Sequence, residues 1–463
     1  MTILAGILLL LAAVGCFAFL SNPFLDTAGT DSSIFLYVAR LFNEWYVPYK
    51  DVFDQKGPLI FFVDAIGLKI ADNAFWGIWL LDSFVYISAI LLSFKLCIKF
   101  VEHKYAMMMI MPIAASYHLF ACGGNMPEMY IIVFSLLAYN LCLTTGKVFS
   151  VVNWLLVGVC VGLIFMLKLN MITVVVPIAI CWFKKTCRFK SLVCFMIGSL
   201  IAILPFFFYL FANDALNAFW EVYIEYNSQY AKPYRFFPEF NRGCMLVVII
   251  LIVNICLCFS KFLKRDLKLI LFLNVVYLTV TWFVIILSGG SCRYYGPVLP
   301  ACVLPISILL SLKKCIANVI VPMSILVLFA IIGQRNICYD NRIRMMKMDE
   351  LLSMIEDKES VTVLGCDCLV YLHLNVRSPI RFPYQGTIAN TSEFYRQRIL
   401  EDIDNRKSKY LIIPDDVLNV KGALGVAWAR DAVLNNYTNI FSNETYALYR
   451  EKMEECRYKR KDK

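Results

Sequence analysis

The chain has 463 residues, of which 60% are hydrophobic and only 17% are charged. Soluble globular proteins carry about a quarter charged residues, so this composition excludes a soluble enzyme and indicates a membrane protein. The formal net charge of +10 does not indicate nucleic acid, because much of it lies in short clusters between apolar runs, the pattern that fixes membrane topology, and no nucleic-acid-binding motif is present.

Apolar stretches of about 20 residues, each long enough to cross a bilayer as a helix, recur along the chain. Eleven spans are expected, near 1–21, 73–94, 105–121, 128–144, 151–167, 170–183, 191–212, 244–260, 268–287, 297–312 and 316–333. The first lacks a basic n-region and a clear small-residue cleavage site, so it reads as an uncleaved span rather than a signal peptide. Lys168 and Asn170 interrupt the run 151–183, which reads either as two short helices or as one long kinked helix.

The basic residues between spans sort to one side. Lys95, Lys99, Lys104, Lys147, Lys184, Lys185, Arg188, Lys190, Lys261, Lys264, Arg265, Lys268, Lys313 and Lys314 fall there, and that side is expected to be cytoplasmic. The opposite side receives the loop 22–72, the turn "CGGNMPE", the loop 213–243, the turn "SGGSCRYYG" and everything after Gly333.

Within the loop 22–72, "TDSSIFLYVARLFNEWY" places Ile34, Tyr37, Val38, Leu41 and Phe42 on one helical face, so a helix lying in the membrane interface is expected. Thr30 or Asp31 would be its N-cap, and a carboxylate there sits at the positive end of the helix dipole. From pattern alone Asp31 is either that plain cap or a reactive group. The next stretch, "DVFDQKGPL", sets Asp51, Asp54 and Lys56 against a Gly-Pro pair. It reads either as an exposed turn with an ion pair of little worth or as part of a site. "GPLIFFVDAIG" then returns the chain to the bilayer.

Further along, Glu128 in "GGNMPEMY" sits at the outer mouth of the fourth span, and Lys168 follows "GLIFML". Ionisable groups at such depths are functional candidates, although Glu128 equally fits a helix start after Pro127. Arg293 in "GGSCRYYGP" has Tyr294 and Tyr295 beside it, which fits either ligand contact or an aromatic belt. The loop 213–243 is rich in Tyr, Trp and Phe and suits either sugar stacking or the interface. The 18 cysteines are not a disulfide scaffold. Cys160, Cys194, Cys256 and Cys302 lie in apolar spans, where a thiol behaves as a small hydrophobe. Cys366 and Cys368 form a lone C-x-C, and no metal quartet or redox C-x-x-C appears. His103, His118 and His373 form no set and read as structural.

After Gly333 the chain changes character. "ESVTVLG", "KYLIIP" and "ETYALYRE" read as strands and Thr391 to Asn405 as a helix. The expected fold class is thus an α-helical polytopic membrane protein with a small α/β C-terminal domain, divided into 1–334 and 335–463. No Gly-rich phosphate loop and no nucleophile elbow is present.

The run from Asp31 through "SSIFLYVARLFNEWYVPYKDVFDQKGPL" resembles the first extracytoplasmic loop of GT-C glycosyltransferases. It is most similar to the branch that holds protein O-mannosyltransferases and bacterial lipid A aminoarabinose transferases. Those proteins show an acidic pair, a Tyr-containing helix, a "G-x-x-P-Y-x-D" turn and a "D-x-K-x-P-L" segment. Here the matching residues are Asp31, Tyr37, "VPYKD" at 47–51 and "DQKGPL" at 54–59. Ser32 replaces the second acid of the usual pair, which weakens any case for a metal bridging two adjacent carboxylates, and Gln55 replaces the usual His. The specific motifs concentrate in 26–64, while the helix count and outer domain fit along the whole chain.

The resemblance implies transfer of a hexose or pentose from a polyprenyl-phosphate-linked sugar to an acceptor protein, lipid or surface glycan. It implies Asp31 as the base and Lys56 as a partner of the lipid phosphate, and it implies substrate contact for Tyr37, Asp54, Glu128, Lys168, Arg293, Tyr294 and Tyr295. Asp51 would shape the turn. No cofactor follows, and a divalent cation stays open as an option within this fold type. Short loops place the chain in a bacterial inner membrane as a multi-pass protein with its C-terminal domain outside. The alternative is a polyprenyl-linked glycan transporter, flippase or polymerase. A transporter would show repeat symmetry between halves, which is not found, and a polymerase would carry its long outer loop late in the chain. A receptor would leave the charges of the first loop without a purpose.

Overall fold

A computed structural model of the chain describes residues 12–103, 105–107, 117–118, 123–142, 151–185, 188–230, 242–261, 263, 265–287, 305, 308, 347–365, 368–414, 417–420 and 425–452. The chain forms two compact units, one made of Met1–Tyr49 with Gln55–Asp340 and the other of Lys50–Asp54 with Asn341–Lys463.

The first unit is helical. Its elements include α1 (Thr30–Asn43), α2 (Pro58–Ile70), α3 (Trp76–Cys97), α4 (Pro127–Cys142) and α5 (Val151–Leu167). A 3-10 segment, Leu169–Val174, leads into α6 (Val175–Lys185), and α7 (Phe189–Ala212), α8 (Arg242–Phe259) and α9 (Arg265–Leu287) follow. Helix α3, helix α7 and residues Leu267–Ile286 of α9 are long and apolar enough to cross a membrane, while Pro127–Cys142, Val152–Leu167, Leu169–Cys181 and Val247–Phe259 are shorter apolar helices. The spans expected at 297–312 and 316–333, and most of 105–121 and the start of 1–21, lie outside the described residues.

Helix α7 shows an arrangement suited to lipid. Leu192, Met196, Leu200, Leu204, Phe208 and Phe211 are exposed, whereas the buried side holds Ser191, Gly198, Ala202, Phe206 and Leu210. Small residues such as Ser191, Gly198 and Ala202 on the buried side are what helix packing in a bilayer favours. The contact with α5 uses this. A Cβ on Gly158 would lie 2.0 Å from the Phe195 carbonyl oxygen, and one on Gly198 would lie 2.0 Å from that of Leu155. The Ser199 hydroxyl donates to the Gly158 carbonyl at 3.1 Å. The two backbones touch, and no side chain fits between them.

One expectation about α1 is corrected. Its N-cap is Gly29, with Thr30 and Asp31 already inside the first turn. Every residue from Ser32 to Leu41 is buried. Apolar periodicity detects one strongly apolar face, but Ser32, Ser33 and Ala39 are small enough for neighbours to cover the other as well. At 14 residues the helix is about 21 Å long, too short to cross a bilayer core.

The run 151–183 is broken. Lys168 has extended backbone (φ −159°, ψ 116°) between α5 and the 3-10 segment. Its own N–H still closes the last turn of α5 on Ile164 at 3.0 Å. Between α7 and α8 lies a seven-residue π-helix, Trp220–Tyr226, of the wide-turn kind that recurs at functional sites.

The second unit holds a four-stranded sheet of β1 (Val361–Val363), β2 (Tyr410–Pro414), β3 (Tyr437–Ser442) and β4 (Tyr446–Glu451) in the order β1-β2-β4-β3. β1 runs parallel to β2, and the other pairs are antiparallel. Helix α10 (Glu393–Asp404) buries Tyr395, Ile399 and Ile403. The early segment Lys50–Asp54 belongs to this unit. Phe53 donates its N–H to Arg381 at 2.8 Å, and its ring centroid lies 5.6 Å from Phe382 and 5.1 Å from Tyr395.

Candidate functional site

The site is built on the turn Gln55–Gly57. The Gly57 N–H donates to the Leu167 carbonyl at 3.0 Å, and a Cβ on Gly57 would sit 2.0 Å from the Met166 carbonyl oxygen. Only glycine lets the turn lie on the end of α5. Two further bonds hold the same backbone. The Tyr49 hydroxyl donates to the Lys56 carbonyl at 2.7 Å, and the Asn227 amide donates to the Gln55 carbonyl at 2.7 Å. The Tyr223 hydroxyl, from the π-helix, donates to the Phe165 carbonyl. Pro58 then opens α2 with its ring at the first helical position, where no N–H is needed.

The turn places Lys56 beside the point where α5 ends, and Lys168 is the first residue past that end. The Lys56 ammonium lies 5.7 Å from the centre of the Phe35 ring on α1. Glu128 arrives from α4, whose start Pro127 fixes. The Lys168 ammonium donates to Glu128 Oε1 at 2.5 Å, and the two side chains are only 9% and 3% exposed. Lys56 also acts on the Glu128 carboxylate electrostatically. Two of the residues singled out from the sequence therefore meet, Glu128 and Lys168, and Lys56 acts on the same carboxylate from the adjoining turn. In the low dielectric of a buried site, charges at such separations act strongly on one another.

The other candidates are placed as follows. Asp31 is half-buried in the first turn of α1. Tyr37, on the same helix, is buried with the Arg40 guanidinium 5.3 Å from its ring centre. Asp54 is buried within the second unit. Arg293, Tyr294 and Tyr295 lie outside the described residues. Among the described residues no three His, Cys, Asp or Glu side chains are grouped so as to hold a metal ion.

A second buried polar cluster had no counterpart in the sequence reading. Asn125, in the turn before α4, donates its backbone N–H to Asp82 Oδ2 at 2.9 Å. Its amide donates to Asp64 Oδ2 at 2.9 Å and to the Ser32 hydroxyl at 3.1 Å. Asp64 and Asp82 are both fully buried. The available signal was a lone aspartate in each of two apolar helices, "PLIFFVDAIG" and "WLLDSFVY", since ionisable residues at such positions are rare and carry a role.

No family model matches the sequence, and no curated protein does. Solved structures do. The chain is similar to ArnT from Cupriavidus metallidurans bound to undecaprenyl phosphate, with a TM-score of 0.69 at 10% identity, covering 97% of this chain and 97% of that one. The apo state of the same protein gives a TM-score of 0.65 at 11% identity, covering 96% of this chain and 98% of ArnT. The chain has the GT-C fold, matched from end to end.

Proposed function

We propose that this protein is a glycosyltransferase that moves a sugar from a polyprenyl-phosphate donor to a protein, lipid or glycan acceptor on the outer face of a bacterial inner membrane. The observation that carries this reading is the buried Lys168–Glu128 pair, with Lys56 acting on the same carboxylate, in a GT-C fold. Ammonium groups gathered in one region suit an anionic ligand. The ArnT structure that the chain resembles holds undecaprenyl phosphate, which supports a lipid phosphate of the same class as the ligand here.

The reaction would be a displacement at the anomeric carbon. The acceptor oxygen forms the new bond to that carbon as the bond to the phosphate oxygen breaks, and the electron pair leaves on the lipid phosphate. Asp31 takes the acceptor proton as general base. Lys56 stabilises the charge on the leaving phosphate, with Arg293 and its neighbours Tyr294 and Tyr295 as a second phosphate contact. Lys168, oriented by Glu128, is a further contact to the same ligand. Tyr37 contacts the sugar. The second unit lies outside the membrane in this reading.

The test uses purified protein in detergent, a panel of radiolabelled polyprenyl-phosphate sugars and a membrane extract as acceptor. Asp31→Asn is expected to lower kcat by about 10²–10⁴-fold while still binding polyprenyl phosphate. Lys56→Ala is expected to lower it by about 10²–10³-fold and to weaken lipid binding. A protein that binds the lipid but consumes none of the donors would be a transporter or flippase. Normal turnover by Asp31→Asn would reduce Asp31 to a helix-end residue and move the base to Asp54 or Glu128.

A further inference from the structure

Asn125 stands where four helices of the first unit meet. Its side chain reaches Ser32 on α1 at 3.1 Å and Asp64 on α2 at 2.9 Å. Its backbone N–H reaches Asp82 on α3 at 2.9 Å, and two residues later its own chain enters α4. It is 1% exposed. The turn is shaped for this contact and for little else. Gly123, Gly124 and Asn125 all have positive φ (97°, 106° and 50°), and a Cβ on Gly124 would sit 2.7 Å from Asp82 Oδ2. The Leu20 N–H donates to the Gly123 carbonyl at 2.8 Å and ties the turn from its other side.

As a device for stability this cluster is poor. Asp64 and Asp82 are fully buried and, among the described residues, meet only uncharged donors and no Lys or Arg. Oδ1 of each accepts no hydrogen bond among the described residues. Carboxylates buried in this way cost stability that apolar side chains of similar size would not. Such a network is explained better by what it holds in place. Its two outputs lie next to the candidate site: Ser32 directly follows Asp31, and Glu128 follows Asn125 by three residues.

We propose that Asn125, clamped by Asp64 and Asp82, is a positioning residue that sets the first turn of α1, with Asp31, against the first turn of α4, with Glu128. This inference rests on the reading of Asp31 and Glu128 as groups of the transfer site. Asn125 itself touches no substrate. It fixes the spacing of the base from the Lys168–Glu128 pair, and a displacement of about 1 Å at a reacting centre is enough to cost about 100-fold in rate.

The experiment compares full-length wild type with Asn125→Ala and Ser32→Ala in detergent. Three quantities are read: kcat and KM for the donor sugar, affinity for undecaprenyl phosphate, and amide hydrogen exchange by helix. Asn125→Ala is expected to lower kcat by about 10- to 100-fold with donor KM and lipid affinity unchanged. Exchange should rise at residues 31–34 and 128–131 and stay at the wild-type level in α5 and α7. Ser32→Ala cuts only the tie to α1 and keeps the fold if Asn125→Ala does not. Its loss in kcat should be a few-fold, with faster exchange confined to the start of α1. Wild-type kcat in Asn125→Ala would overturn the proposal. So would exchange that rises throughout the unit together with a loss of lipid affinity, since that marks a purely structural residue. A wild type that transfers no sugar from any donor would instead sink the transferase reading, and the exchange pattern would still decide whether Asn125 couples α1 to α4.

Discussion

Glu128 and Asp64 are both carboxylates in the first unit with almost no exposed surface (2% and 0%), yet they are treated in opposite ways. Glu128 is given a lysine at 2.5 Å and a second one nearby. Asp64 is given one amide and, with Asp82, shares the uncharged groups of Asn125. The first arrangement brings ammonium groups to a carboxylate, where ligand charge can enter. The second meets only uncharged donors among the described residues and acts as a fixed point between helices. Burial alone therefore does not mark a binding group here, and the sign and number of its partners do.

The sharpest way to break this contrast is to remove one member of the paired cluster. Glu128→Ala leaves Lys168 buried without its carboxylate, and a loss of about 3–5 kcal/mol is expected, read as the unfolding midpoint in detergent. Glu128→Leu combined with Lys168→Met should recover most of that stability while abolishing lipid-phosphate affinity. A double variant as unstable as the single one would show that the pair is not what the single change disrupts.

A smaller effect is expected from Gly57→Ala. Its new methyl meets the Met166 carbonyl, and forcing such contacts apart costs about 1–3 kcal/mol. The turn should lift from the end of α5 and carry Lys56 away from Lys168, so undecaprenyl phosphate affinity falls while the Lys168–Glu128 pair survives. Unchanged affinity in a folded Gly57→Ala protein would show that Lys56 does not depend on this contact.

The smallest is Tyr49→Phe, which deletes one hydrogen bond to the Lys56 carbonyl and should cost about 0.5–1.5 kcal/mol, with a modest loss of lipid affinity. An effect as large as that of Gly57→Ala would mean that the turn is held mainly from the Tyr49 side.

Much of this was legible because it is local. The helix at 30–43, the interruption at Lys168, and the strands β1, β2 and β4 all follow from periodicity, a charge within an apolar run, or β-branched and aromatic runs. Strand β3, "YTNIFS", was not, because most of its side chains are exposed and its pairing with β4 supplies the order that its own composition lacks. Lys56, Glu128 and Lys168 each stand out as charges in apolar surroundings. That both lysines act on Glu128 was not legible, because it depends on Gly57 lying on Met166 and Leu167, more than 100 residues away. The Asn125 cluster was hidden for the same reason. Asp64 and Asp82 sit in windows whose average is strongly apolar, and only the folded turn brings them to one amide.

The segment Lys50–Asp54 has a consequence for cutting this chain into parts. Phe53 is fully buried among Phe382, Tyr384 and Tyr395, with the Arg381 guanidinium 5.8 Å from its ring. A fragment that begins at Asn341 thus omits a piece of its own interior, supplied by a stretch nearly 300 residues upstream. Expressed alone it would carry an open aromatic slot and an unanswered carbonyl at Arg381. A short peptide containing Phe53 would be the complementing half of a split fold, and any dissection of the protein has to be planned around that shared strip of chain.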